Sequence, residues 1–292
     1  MGDIDELHGL RKTFHVGAYQ QVINDATNPS VRISSDAARI ERKVYLYRAY
    51  VAQGRLNMAT NEITQSDAPE LRAVKLLARQ LGGVDVSAEA KALLAENPKS
   101  ALLAVLVASI LFNAGLTDDT LTVLHPFKKN LEALALTIQT LLKMNRLDLA
   151  KKEVATMKTW ADDATLAQMI EAWTNLYPSA DEKFNEAFYT FDELAASSTA
   201  TAKLLTSKAV SKIHAGKFDE AEELLGNALN WNNNDAEALI NLIVVAHATG
   251  KPAEVAARLT NQLRDAAPNH IYLQELKLKE DMFDRSAQRF AV

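Results

Sequence analysis

The chain has 292 residues, 48% hydrophobic and 24% charged, which is the balance of a globular protein with enough apolar surface to offset the entropy of ordering. A formal net charge of −5, from 32 Lys+Arg against 37 Asp+Glu, argues against nucleic acid as a main ligand, because phosphate binding needs a basic excess. Cysteine is absent, which excludes disulfide scaffolds, thiol nucleophiles and cysteine-ligated zinc or iron–sulfur sites.

Read from its start, the chain opens on Met1-Gly2-Asp3-Ile4-Asp5-Glu6, which is acidic and carries neither the basic nor the apolar region of a secretory signal. Glu6 stands where myristoylation of Gly2 would want Ser or Thr. A cytosolic address is expected. Good helix formers then dominate to the end, while Gly (10) and Pro (7) are scarce. Gly17-Ala18-Tyr19, and Gly54-Arg55-Leu56 with Ala59 and Ile63, each mark a turn between two helices. In Asp67-Ala68-Pro69-Glu70, Asp67 is expected to cap a helix, with Pro69 in the first turn and Glu70 completing the capping box. Gly82-Gly83 reads as a turn. Ala101 to Phe112, interrupted by Ser109, is too short to span a bilayer and reads as a buried helix.

Gly115 marks the next turn, and Asn145 another, since Asn also tolerates left-handed backbone. Asp118-Asp119 and Asp162-Asp163 precede helical runs, where carboxylates cap and complement the helix dipole; an acid–base pair is the weaker reading. Lys183-Phe184-Asn185-Glu186-Ala187 with Phe191 opens a further helix. Asp235, after Asn232-Asn233-Asn234, is placed to cap a helix beginning at Ala236.

The strongest signal is a repeat. Gly216, in His214-Ala215-Gly216-Lys217-Phe218, and Gly250, in Ala248-Thr249-Gly250-Lys251-Pro252, stand 34 residues apart, the tetratricopeptide period. Ala221 and Val255 follow at the small packing position of the second helix, and Leu225 and Leu259 at the large one. The expected fold is all-α, a right-handed superhelical solenoid of tetratricopeptide-like helix–turn–helix repeats. About eight degenerate units span 1–268, with a capping helix and tail over 269–292, in a single domain.

No HExxH, GxSxG elbow, P-loop or dinucleotide fingerprint occurs, and the six histidines form no ligand pattern. No catalytic, metal or cofactor site is therefore expected, and binding remains. In such repeats the first helix of each unit lines a concave groove. The turn positions put Val44, Arg48, Val51, Ala135, Gln139, Leu142, Val210, Ile213, Ile240, Val244 and His247 on that face. The set is mostly apolar and would be a liability if left in water. Either a tightly held partner segment fills the groove, the favoured reading, or these side chains are interhelical core. A cochaperone or general adaptor is the alternative, but it would want a basic groove to clamp a peptide carboxylate.

Several segments resemble the epsilon subunit of coatomer. They include Phe14-His15-Val16-Gly17-Ala18-Tyr19, then Tyr45-Leu46-Tyr47-Arg48-Ala49-Tyr50, then Leu141-Leu142-Lys143-Met144-Asn145-Arg146-Leu147-Asp148 and the closing Phe283-Asp284-Arg285. The likeness runs in order over most of the chain and is weakest over 76–129. The resemblance implies a non-catalytic tetratricopeptide subunit that clasps the C-terminal region of the coatomer alpha subunit. It also implies a heteromeric complex, no direct membrane insertion, and peripheral attachment to Golgi and coated-vesicle membranes, serving retrograde and intra-Golgi transport.

Overall fold

The computed structural model describes residues 6–29, 33–177 and 181–290; the acidic segment 1–5 read above lies outside the described residues. Among them every regular element is helical. The helices fall into two compact units, 1–199 and 200–292, where the repeat reading had one array. The division falls at Ser197-Ser198-Thr199-Ala200-Thr201, a stretch too polar to build an apolar core.

Unit 1 holds α1 (His8–Val16), α2 (Tyr19–Thr27), α3 (Asp36–Ala52), α4 (Leu56–Glu62), α5 (Pro69–Leu81) and α6 (Ser87–Glu96). It continues with α7 (Ala101–Asn113), α8 (Thr117–Leu124), α9 (Leu131–Lys143), α10 (Leu147–Ala161), α11 (Thr165–Asn175) and α12 (Asp181–Ser197). Unit 2 holds α13 (Ala202–His214), α14 (Phe218–Trp231), α15 (Ala236–Ala248), α16 (Ala253–Ala266) and α17 (Ile271–Gln288). The odd-numbered helices are thus the first members of successive pairs.

One local device makes the pairs. At Gly216 the backbone turns left-handed, with φ 70°, and the Lys217 N–H donates back to the Lys212 carbonyl at 2.9 Å. The same closing bond recurs from Arg55 to Tyr50, Leu116 to Leu111, Arg146 to Leu141 and Lys251 to Ala246. Asn145, with φ 58°, is the one non-glycine described there, as its short polar side chain allows.

First helices announce their starts differently. Ser35, Ser100, Asn130, Thr201 and Asp235 each accept a bond from the backbone N–H three residues on, capping α3, α7, α9, α13 and α15. Two expected caps are corrected. Pro69 does open α5, but the cap residue is Ala68. Asp67 instead accepts from the Thr64 backbone N–H at 2.7 Å and the Thr64 hydroxyl at 2.8 Å, a nearer pair of donors. Asp162 ends α10, and Ala164 rather than an aspartate stands at the cap of α11.

Burial follows the pairing. Alternate faces of α3 to α8 share a core of Val44, Val74, Leu103, Leu106 and Ile110, while α9 to α11 share Ile138, Leu141, Val154 and Ile170. Helix α7, apolar along almost its whole length, is buried on most sides, as a sequence without a polar face requires. In unit 2, α13 to α15 meet through small residues, Ala209, Ala221, Ala228 and Ala238, around Leu225 and Val245. Helix α17 has no buried residue. Its first turn rests Tyr272 and Leu273 on the α15–α16 core, and Ile271, Leu278, Met282 and Phe283 are exposed.

Ala221 has no exposed surface at this close seam, so Ala221→Leu should overpack it. The expected loss is about 1–3 kcal/mol, read as a lower Tm in thermal denaturation, whereas Ala221→Gly should cost roughly 1 kcal/mol from helix propensity.

Candidate functional site

The predicted groove residues of unit 1 stand on α3 and α9, which meet across the unit. Helix α1 packs against α11, so the first pair reaches the sixth, and α3 meets α9, so the second reaches the fifth. Arg11 holds α1 to α3 by a two-pronged pair with Glu41, at 2.7 and 2.9 Å. On the facing side, Arg48 Nη2 donates to Glu132 Oε1 at 2.7 Å, and the Tyr45 hydroxyl donates to Glu132 Oε2 at 3.4 Å. The Arg48 guanidinium lies 4.5 Å from the Phe14 ring centre and 5.1 Å from that of Tyr45, in cation–π range. Both charges are nearly out of water, with side chains 13% and 16% exposed.

Burial and pairing push the Glu132 carboxyl in opposite directions. Burial, the larger single influence, raises its pKa; the Arg48 charge and hydrogen bond, helped by His15 and Tyr45, together lower it further. The net position is below the ordinary carboxylate value. Burial foremost, with the nearby carboxylate, pushes the Tyr45 phenol up, so it stays a donor.

The predicted residues of unit 1 are therefore not groove lining. Val44 has no exposed surface, and it and Val51 belong to the α3–α8 core. Ala135 and Leu142 are buried in the α9–α11 core. Gln139 is half-buried, and Arg48 is spent on Glu132. The reason is packing: α3 is flanked by α2, α4 and α5, and α9 by α7, α8, α10 and α11, which cover these apolar side chains. The second of the two sequence readings, interhelical core, holds for these four apolar residues.

Unit 2 leaves its row more open. Val210 and Ile213 on α13 and Ile240 on α15 are half-buried, while Val244 is 40% exposed and His247 is exposed. Ile213 and Ile240 rest their inner edges on the two clusters of this unit. Nearby His214 has its pKa lowered by burial. Val210 and Val244 stand one 34-residue period apart, so they recur at one register on α13 and α15.

Sequence reasoning missed Glu132, Tyr45 and Phe14. Glu132 sits in the first turn of α9, where a carboxylate is explained by the helix dipole alone, so its spacing carried no sign of a distant arginine. Among the described residues no group of three His, Asp or Glu is placed to hold a metal ion, and no helix is long and apolar enough to cross a membrane.

Comparison with known proteins agrees along the length of the chain. The family model described as coatomer epsilon subunit matches residues 3–291. Coatomer subunit epsilon-1 of Oryza sativa subsp. japonica is 36% identical over 295 residues, covering 100% of both chains. Coatomer subunit epsilon of Caenorhabditis elegans is 35% identical over 292 residues, covering 97% of this chain and 98% of that one. Among solved structures, a tetratricopeptide repeat protein from Parabacteroides merdae superposes with a TM-score of 0.59 at 14% identity, over 89% of this chain and 97% of its own. The APC/C hetero-tetramer Cut9–Hcn1 gives a TM-score of 0.61 at 12% identity, over 93% and 54%. These two likenesses establish the tetratricopeptide fold.

The contrast between units can be measured with one substitution in each. Val44→Asp puts an unpaired carboxylate at a position with no solvent exposure and should cost about 3–5 kcal/mol. Val244→Asp should stay within about 0.5 kcal/mol of the parent in urea denaturation. Equal losses would mean that Val244 is core.

A second expectation concerns acid. A depressed carboxyl stabilises the fold above its unfolded pKa, and that stabilisation disappears as pH falls through the folded value. Glu132→Gln cannot titrate. Its stability, followed from about pH 7 to pH 3, should start lower and fall along a shallower acid limb than that of the parent.

Proposed function

The chain belongs to the coatomer epsilon subunit family, and from that premise we propose that it is a non-catalytic interaction subunit of the coat, holding the C-terminal region of the coatomer alpha subunit. The observation that carries this reading is the apolar row of unit 2. Val210, Ile213, Ile240 and Val244 stand partly uncovered on α13 and α15, with His247 exposed beside them. Apolar surface of this kind gains from being covered, at about 25 cal/mol per Å². Val44, Val51, Ala135 and Leu142 take no direct part, because they already hold unit 1 together; Arg48 acts through Glu132, and Gln139 stands half-buried on α9.

In this reading the chain works in the cytoplasm as a peripheral coat component on Golgi and coated-vesicle membranes, and membrane attachment comes from the rest of the coat. An acidic chain with a net charge of −5 has little to offer an anionic lipid surface by itself. Apolar burial also sets the expected behaviour of the complex. Coulombic pairs at an exposed rim weaken as salt shortens the screening length, whereas burial of Val and Ile does not.

A one-to-one complex with the alpha C-terminal region should therefore bury roughly 2,000 Å² in total or more and survive gel filtration at about 0.5 M salt. Val244→Asp combined with Ile240→Asp should abolish co-purification. Dissociation of the parent complex at that salt concentration would assign the interface to charge instead.

A further inference from the structure

Helix α17 is fastened to unit 2 at one end. His270 caps it, its Nδ1 accepting from the Tyr272 backbone N–H at 3.2 Å and its Nε2 lying 3.3 Å from Glu237 Oε1 on α15. Tyr272 and Leu273 rest on the α15–α16 core, and Leu276 is half-buried one turn on. From Lys277 to Phe290 every residue is exposed. At about 3.6 residues per turn, the side facing away from Tyr272, Leu273 and Leu276 carries Ile271, Glu275, Leu278, Met282 and Arg285 in one stripe.

Such a stripe gains from being covered, because its hydrocarbon stands in water. A helix docked only at its start also lacks the tertiary packing that keeps most helices formed. The charges on the stripe identify what covers it. Glu275 precedes Leu278 and Met282, Arg285 follows them, and neither pairs with an opposite charge among the described residues. Turning a second α17 end for end about the level of Glu280 sets Glu275 of each copy opposite Arg285 of the other, and Leu278 opposite Met282. A parallel copy would set Glu275 on Glu275 and Arg285 on Arg285. A patch that complements itself under a two-fold rotation is what an isologous contact requires.

We propose that two copies of this chain associate through α17, packed antiparallel along this stripe. Leu278 and Met282 form the centre, and a Glu275–Arg285 pair closes each end. A helix of 18 residues is about 27 Å long, so the contact falls below the roughly 1,200 Å² of standard interfaces. Association is therefore weak and concentration-dependent, with a Kd on the order of 10 μM. The contact uses α17 alone and is independent of what the α13–α15 row holds.

Sedimentation velocity of the full chain over about 1–300 μM tests it, and the parent should pass from monomer to dimer across that range. Leu278→Asp combined with Met282→Asp should remain monomeric throughout. Glu275→Arg and Arg285→Glu each place like charges at both ends of the contact and should weaken association roughly tenfold or more. Combining both substitutions in one chain, or mixing the two single variants, restores opposite charges and should bring the dimer back. Recovery in the mixture also shows that the weakened chains were folded. Single variants that associate as the parent does, or a mixture that stays monomeric, would overturn the proposal. So would a parent monomeric at the highest concentration, which would give the stripe to a polypeptide of another sequence.

Discussion

A helix pair in this chain cannot bury its own apolar stripe, and the need to borrow a neighbour's surface organises everything else. The left-handed turn fixes each pair as a unit, and the small residues on second helices let the next pair come close. Ala221, Ala228 and Ala238 show the closeness that results in unit 2. Once six pairs are stacked in unit 1, small rotations accumulate until α1 reaches α11 and α3 reaches α9. Val44, Val51, Ala135 and Leu142 are then taken up by packing.

Closure also explains why a buried ion pair stands in an otherwise apolar interior. The residues that meet there come from pairs far apart in the chain, while the neighbouring seams hold the aliphatic side chains. Arg48 suits the position because its planar guanidinium can lie over Phe14 and beside Tyr45 while one nitrogen reaches Glu132. Burial, the largest influence, raises the Glu132 pKa, and the Arg48 charge and hydrogen bond together with His15 and Tyr45 bring it below the ordinary carboxylate value. A lysine there would lose the flat stacking.

Unit 2 shows what the same repeat does without closure. It has two complete pairs and one terminal helix, so the first helices α13 and α15 keep part of their apolar row in contact with solvent. Helix α17 meets the α15–α16 core only near its start, and its remaining apolar side chains stay exposed. One unit thus spends these apolar residues on packing, while the other keeps part of its row in contact with solvent.

By itself the sequence determined the helices, their turns and their repeat, because these depend on residues within a few positions of one another. Gly216, Gly250 and Asn145 announce left-handed turns locally, Asp235 caps the helix that follows it, and the 34-residue period needs no tertiary knowledge. Even the local level fails where two short-range partners compete, as when Thr64 takes Asp67 from its expected cap. Only the tertiary structure decided which inner positions are covered. Val44 and Ile240 each stand ten residues before the turn glycine of their pair, yet one is fully buried and the other half-buried. That difference comes from curvature, the sum of many small rotations between pairs, and no single stretch of residues encodes it. The partnership of Arg48 with Glu132, 84 residues away, is fixed by the same sum.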